Sequence, residues 1–213
     1  MTECAMILAA GRGERLRPYT DKCPKALLEV NGKPLIFYHL ESLASAGIKN
    51  VVVNLSWLGE QIEAAVGDGS RFGLTVRYSR EPKALEAAGG IIQALDMLDD
   101  RFLVVNADIY TDYGFEKLRS VYSKAHLVLV DNPDHHQQGD FVLEDGYLCN
   151  NLEQRFTFAG IAIYHKTFFE HYAPGKRALA PLLQTAAEER LVSGELFEGK
   201  WVDVGTVERW QLI

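Results

Sequence analysis

The sequence predicts an α/β fold: a Rossmann-like, doubly wound, mostly parallel sheet with a small mixed or antiparallel C-terminal extension. Three observations predict it. Over the first 130 residues, short apolar runs of β type alternate with amphipathic stretches of helical period, the pattern of a parallel sheet covered on both faces. After Asp131 that alternation stops, and strand-like runs follow one another with turn residues between them. The chain has 213 residues, 47% of them hydrophobic, enough for one domain with a sizeable core and too apolar for wholesale disorder.

The elements follow in order. Cys4–Ala9 reads as a buried strand. From Pro34 to Ala46, Ile36, Leu40, Leu43 and Ala44 form a helical stripe that Gly47 ends. Val51–Asn54 is a strand, Glu60–Val66 a helix closed by Gly67, and Leu74–Tyr78 a strand. Gly90–Leu98 is a helix, Phe102–Asn106 a strand, Phe115–Ser123 a helix and Leu127–Val130 a strand. Beyond Asp131, strands are expected at Asp140–Leu143, Tyr147–Cys149 and Phe156–Tyr164. A helix at Leu179–Glu189 and short strands at Glu195–Phe197 and Trp201–Val204 complete an extension of the same sheet. No repeat or Pro/Ser-rich linker divides the chain, so residues 1–213 read as a single domain.

Composition excludes several functions. Lys and Arg number 22 against 29 Asp and Glu, for a net charge of −7, so a broad basic face for nucleic acid is not expected. No apolar run approaches the ~18 residues needed to cross a bilayer. The apolar N-terminus is short, has Glu3 in front of it and runs into a Gly/Arg-rich loop, which is wrong for a secretion signal. Cys4, Cys23 and Cys149 are odd in number and contain no CxxC pair, so reduced thiols in a cytoplasmic protein are expected.

One loop stands out. Ala10 to Lys25 has no apolar periodicity, holds Gly11 and Gly13, and carries five cations: Arg12, Arg15, Arg17, Lys22 and Lys25. Glycines let backbone N–H groups approach a ligand closely. Glycines with cations after the first strand describe a phosphate cradle, placed where α/β sheets bind ligands. The loop is neither GxxxxGK[ST] nor GxGxxG. A basic loop in an acidic protein suits an anionic ligand.

Leu8-Ala9-Ala10-Gly11-x-Gly13-x-Arg15-Leu16-Arg17-Pro18-x-Thr20, followed by Pro24-Lys25, resembles the signature of the sugar-1-phosphate nucleotidyltransferases. Asn106-Ala107-Asp108 is similar to that family's strand-end aspartate, and Trp201-Val202-Asp203-Val204-Gly205-Thr206 to its C-terminal aspartate motif. The resemblance covers essentially the whole chain. Within the family it is strongest to the bacterial N-acetylmuramate α-1-phosphate uridylyltransferases. They share Gly13-Glu14-Arg15, Trp57-Leu58-Gly59, the run from Gly67 to Gly73, Asp131-Asn132-Pro133-x-His135-His136 and Gly139-Asp140-Phe141.

The resemblance implies transfer of UMP from UTP to a sugar 1-phosphate, N-acetylmuramate 1-phosphate in cell-wall recycling, with release of pyrophosphate. Thymidylyl or uridylyl transfer to glucose 1-phosphate, guanylyl transfer to mannose 1-phosphate, and a non-catalytic nucleotide-sugar-binding module are the alternatives. Residues 1–130 would form the nucleotide part and 131–213 the sugar part. Arg15, Lys25 and Asp108 are then catalytic, the two cations stabilising phosphoryl charge. Leu8, Ala9, Ala10, Gly11 and Gly13 would hold the nucleotide, joined by Glu14, Arg15, Lys25, Gly89 and Val104. Asn106, Asp140 and Asp203 would contact the sugar phosphate. Asp108 and Asp203 would ligate Mg²⁺, which suits one or two carboxylates plus phosphate oxygens. His135 and His136 lie in a polar stretch expected to form a lid over the sugar. Trp57, Trp201 and Trp210 read as core or interface aromatics. One departure concerns Leu85-Glu86-Ala87-Ala88-Gly89-Gly90, where relatives carry Leu-Glu-Thr-Gly-Gly-Gly. A hydroxyl near the base is lost at Ala87. The sequence leaves the oligomeric state open.

Overall fold

A computed structural model describes residues 1–150 and 154–213. The strands are β1 (Cys4–Leu8), β2 (Glu29–Val30), β3 (Lys33–Pro34), β4 (Asn50–Leu55), β5 (Thr75–Arg80), β6 (Arg101–Asn106), β7 (Ile109–Thr111), β8 (Ala125–Val130), β9 (Val142–Glu144), β10 (Tyr147–Cys149), β11 (Thr157–His165), β12 (Val192–Leu196) and β13 (Trp201–Asp203). The α-helices are α1 (Leu35–Ser45), α2 (Gly59–Val66), α3 (Glu86–Ala94), α4 (Ala180–Glu188) and α5 (Val207–Gln211).

Nine strands form one sheet in the order β5-β4-β1-β6-β11-β8-β12-β10-β9. β5, β4, β1 and β6 run parallel. β11 enters antiparallel between β6 and β8, and β10 and β9 add an antiparallel edge. The expected parallel sheet with a mixed extension is therefore what forms.

Alternation along the strands builds two cores. Ala5 and Ile7 of β1 and Leu103 and Val105 of β6 face α1 and α2, which present Ile36, Leu40, Leu43, Ile62 and Val66. Cys4 and Met6, with Phe102 and Val104, face α3 and α4, which present Ile91, Leu182 and Leu183. Buried strands flanked by helices on both faces explain why the strands read as near-continuous apolar runs.

Some boundaries differ from the sequence expectation. α3 begins at Glu86 rather than Gly90 and passes into a 3₁₀ turn at Leu95–Met97. Gly89 and Gly90 look like helix breakers but serve close packing. A Cβ on Gly89 would lie 2.4 Å from Gly175 O, and one on Gly90 2.6 Å from Glu81 Oε1. The helix expected at Phe115–Ser123 is a 3₁₀ turn at Phe115–Ser120, whose buried Phe115 and Leu118 match three residues per turn. Trp201–Asp203 does not join the main sheet. It pairs antiparallel with β7, as a ribbon that sets Asp203 opposite Ile109. Among the described residues no helix is long and apolar enough to cross a membrane, and Cys4, Cys23 and Cys149 are free thiols.

Candidate active site

Parallel pairing brings the carboxyl ends of β1, β4, β5 and β6 to one edge of the sheet. A chain of hydrogen bonds crosses that edge. Ala9 N donates to Asn54 Oδ1 at 2.7 Å, Asn54 Nδ2 donates to Glu81 Oε1 at 2.7 Å, and Leu85 N donates to Glu81 Oε2 at 2.8 Å. Above it lies a cleft of about 360 Å³. Leu8, Ala9, Ala10, Gly11 and Lys25 form one wall, and Glu81, Ala84, Glu86, Ala87 and Lys176 the other. Asn106, Ala107 and Asp108 close its end.

The loop after β1 is folded rather than loose. It makes three 3₁₀ turns at Glu14–Leu16, Tyr19–Asp21 and Lys25–Leu27, anchored by fully buried Leu16. Gly13 has φ +69°, a conformation that favours glycine, and its carbonyl accepts from Thr20 Oγ1 at 2.8 Å. Trp57 Nε1 donates to Thr20 O at 2.9 Å, so this tryptophan pins the loop. Arg12 pairs with Glu14 at 3.2 Å and stacks on Trp57, while Arg17 pairs with Asp21 at 2.8 Å. These cations stay on the outer surface. Lys25 instead turns inward, with a side chain only 13% exposed, and bonds Asp108 Oδ2 directly.

A second recess of about 340 Å³ continues past Asn106 and Asp108, which line both spaces. Arg15, His135, His136, Gly160, Trp201 and Asp203 line it. A register shift in β11 between Phe158 and Ala162 lets Gly160, at φ +73°, approach Asn106. A Cβ on Gly160 would lie 2.5 Å from Asn106 Nδ2. The β7–β13 ribbon places Asp203 beside Asp108, and Val204 N donates to Asp108 O at 2.7 Å. Asp203 Oδ2 lies 2.9 Å from Arg209 Nη2. Its Oδ1 is buried and accepts no hydrogen bond, although His135 Nε2 sits 3.2 Å away. Desolvation pushes the His135 imidazole below its ordinary range, and the Asp203 charge opposes this only in part. Thr206, not Asp203, caps α5, by accepting from Arg209 N.

The structure thus gathers Leu8 to Gly11, Lys25, Asn106, Asp108, Arg15 and Asp203 about one bipartite cleft. Arg15 stands in the second recess rather than among the nucleotide-side residues. Five residues named from the sequence lie off the lining, among them Gly13, whose carbonyl is turned to Thr20 inside the loop. Val104 is buried in the core beneath Asn106. Gly89 packs against the segment around Gly175 and donates its N–H to Arg177 O at 3.1 Å. Glu14 is exposed and ion-paired with Arg12. Asp140 stands behind His136, with both carboxylate oxygens bonded. The stretch around His135 and His136 is a turn pinned by Asn132 rather than a loose lid.

Sequence reasoning missed Glu81, Lys176 and Trp201. Glu81 is buried, and its place after β5 was the available signal. Trp201 was read as a core aromatic, yet it lines the second recess while Nε1 donates to Ala159 O at 2.9 Å. Lys176 had no sequence signal, because it reaches the first cleft from a loop nearly ninety residues after α3 begins.

A family model for nucleotidyl transferases matches residues 4–141. The chain belongs to the nucleotidyl transferase family. This nucleotidyl transferase is 48% identical to the N-acetylmuramate alpha-1-phosphate uridylyltransferase of Neisseria meningitidis serogroup B, over 96% of this chain and 94% of that protein. It is 31% identical to the glucose-1-phosphate thymidylyltransferase of Streptomyces griseus over 95% of its own length, but spans only 62% of that longer relative. Its fold matches the inositol-1-phosphate CTP transferase of T. maritima with a TM-score of 0.81, at 18% identity and covering 99% and 94% of the two chains. The protein is therefore an enzyme of the sugar-1-phosphate nucleotidyltransferase class, as its motifs suggested.

Proposed function

We propose that this enzyme transfers UMP from UTP to N-acetylmuramate 1-phosphate in the cytoplasm, as a step of cell-wall sugar recycling. The observation that carries the reading is the bipartite cleft, with the Lys25–Asp108 pair at the junction of its halves. The 48% identity to a Neisseria enzyme of that name supports the choice of substrates.

In the reaction, a phosphate oxygen of the sugar 1-phosphate attacks the α-phosphorus of UTP. The new O–P bond forms as the bond to the β-phosphate oxygen breaks, and pyrophosphate leaves. The nucleophile is already anionic, so no general base is needed. Catalysis is positioning and charge stabilisation. Backbone N–H groups from Ala10 to Gly13 hold the triphosphate. Lys25 and Arg15 approach the reacting phosphates from opposite sides of Asp108, Lys25 in the nucleotide half and Arg15 in the sugar half. Asn106 faces both halves and orients the sugar phosphate.

Asp108 and Asp203 suit Mg²⁺. They are neighbours at the end of the β7–β13 ribbon, where Val204 N bonds Asp108 O, and the unbonded Asp203 Oδ1 offers a buried anionic acceptor. Among the described residues no group of three or more His, Cys, Asp or Glu could hold a metal alone. Two carboxylates completed by phosphate oxygens and water match the demands of this ion. When bound, it neutralises phosphate charge.

The test is pyrophosphate release across a panel of nucleoside triphosphates and sugar 1-phosphates, with and without Mg²⁺. UTP is expected to be preferred, with a higher kcat/KM for N-acetylmuramate 1-phosphate than for N-acetylglucosamine 1-phosphate. Equal use of the two sugars overturns the muramate assignment. A folded protein inactive with every pair overturns this reading.

A further inference from the structure

His136 lies in a turn held from several sides. Its N–H donates to Pro133 O at 2.8 Å, and its carbonyl accepts from Gly139 N at 3.2 Å. Asn132 staples the same turn to the start of β11. Its Nδ2 donates to Gln137 O at 3.2 Å and to Arg155 O at 2.8 Å, and its Oδ1 accepts from Thr157 Oγ1 at 2.8 Å. Gly139, at φ +60°, leaves no room for a side chain, since a Cβ would lie 2.7 Å from Asn132 Oδ1.

The ring is held as well as the backbone. His136 Nε2 lies 3.1 Å from Asp140 Oδ1, while Asp140 Oδ2 accepts from Phe158 N at 2.8 Å. An ionised carboxylate only accepts, so Nε2 carries the hydrogen. In the neutral ring, Nδ1 is then a bare acceptor. No described residue bonds Nδ1, and the side chain lines the second recess beside Asn106 and Trp201.

We propose that His136 contacts the sugar, its Nδ1 accepting a hydrogen bond from a hydroxyl or amide N–H of the sugar 1-phosphate. Asp140 is its positioning residue, which fixes the tautomer from behind. This assignment rests on the reading of the second recess as the sugar site. It explains why Asp140, which the sequence placed against the sugar, spends both oxygens on the protein. The same carboxylate holds Phe158 at the start of the irregularity that brings Gly160 to Asn106, so one residue orders two walls of the recess.

Asp140→Asn separates position from shape. Its amide oxygen can still accept from Phe158 N, while its NH₂ faces Nε2 and drives the ring hydrogen to Nδ1. The offered edge changes from acceptor to donor. With saturating UTP at pH 8, KM for N-acetylmuramate 1-phosphate should rise about three- to tenfold, the size of one lost hydrogen bond. kcat and KM for UTP should stay within about twofold. His136→Ala should do the same, and the double variant should be no worse than His136→Ala alone. Additive effects, or an unmoved sugar KM, overturn the proposal. Ring ¹⁵N NMR should show Nε2–H in the unmodified protein and Nδ1–H in Asp140→Asn. An Nδ1–H ring in the unmodified protein overturns the proposal even if the variant does not fold. A parent enzyme that turns over no sugar 1-phosphate removes both the site reading and this proposal, whereas normal turnover with silent variants removes the proposal alone.

Discussion

Lys25 and Asp108 form a direct ion pair where the two halves of the cleft meet, although 83 residues separate them in sequence. The lysine comes from the loop after β1, and the aspartate from the turn after β6. Adjacent parallel strands bring both to the same edge. In the free protein each neutralises the other. On the proposed reading, the lysine would meet phosphate charge and the aspartate a cation.

That arrangement sets the first expectation. Lys25→Ala should lower kcat by roughly 10²–10³, the loss seen when one preorganised oxyanion donor is removed. Asp108→Asn or Asp203→Asn should abolish Mg²⁺-dependent turnover. Circular dichroism should show the fold retained in each. Turnover at the parent rate in both aspartate variants would remove them as metal ligands.

Much of this site was legible in the sequence, because several of its residues lie close together in the chain. Gly11, Gly13, Arg15 and Lys25 fall within one loop, and Asp108 ends a plainly apolar strand. What was not legible depends on tertiary approach. Gly89 and Gly90 look like breakers until Gly175 and Glu81 are seen against them. Asp140 looks like an exposed turn carboxylate until His136 and Phe158 N are found on it. Asn31-Gly32 is a readable hairpin signal, with φ of +50° and +73° joining β2 to β3.

Arg15 provides the second expectation. It lines the second recess rather than the first cleft. If it stabilises charge that develops during transfer, Arg15→Ala should lower kcat by roughly 10²–10³. A rise in KM alone, with kcat kept, would mark uniform ground-state binding and contradict the role.

Lys176 supplies the third. It lines the first cleft, which we propose holds the nucleotide, and pairs with Glu86 at 3.2 Å, with side-chain exposures of 67% and 43%. So exposed a pair adds little stability. Lys176→Ala should therefore leave Tm unchanged while raising KM for UTP several-fold. KM for the sugar 1-phosphate should not move. Equal effects on the two substrates would show that Lys176 does not belong to the nucleotide half.

The last expectation concerns His39, on α1 behind the Asp108–Ile109 turn. It is 2% exposed, and its Nε2 has no hydrogen-bond partner. Burial pushes its pKa down to about 4 from 6.5, against the opposing pull of the Asp108 charge and the Ile109 backbone. The sign follows from linkage. Below pH 6.5 the unfolded chain takes up a proton at this position that the folded protein refuses. Stability from a neutral His39 is therefore complete above pH 6.5 and is lost as pH falls toward 4, by about 3 kcal/mol at ~1.4 kcal/mol per unit. Carboxylates also destabilise the fold on acidification, so the parent alone cannot report this residue. His39→Leu has nothing to protonate and removes an unpaired buried nitrogen. Urea unfolding at pH 7.5, 6, 5 and 4 should show the parent losing stability relative to His39→Leu at each step below pH 6.5. Parallel curves for the two proteins would mean that His39 does not control acid stability.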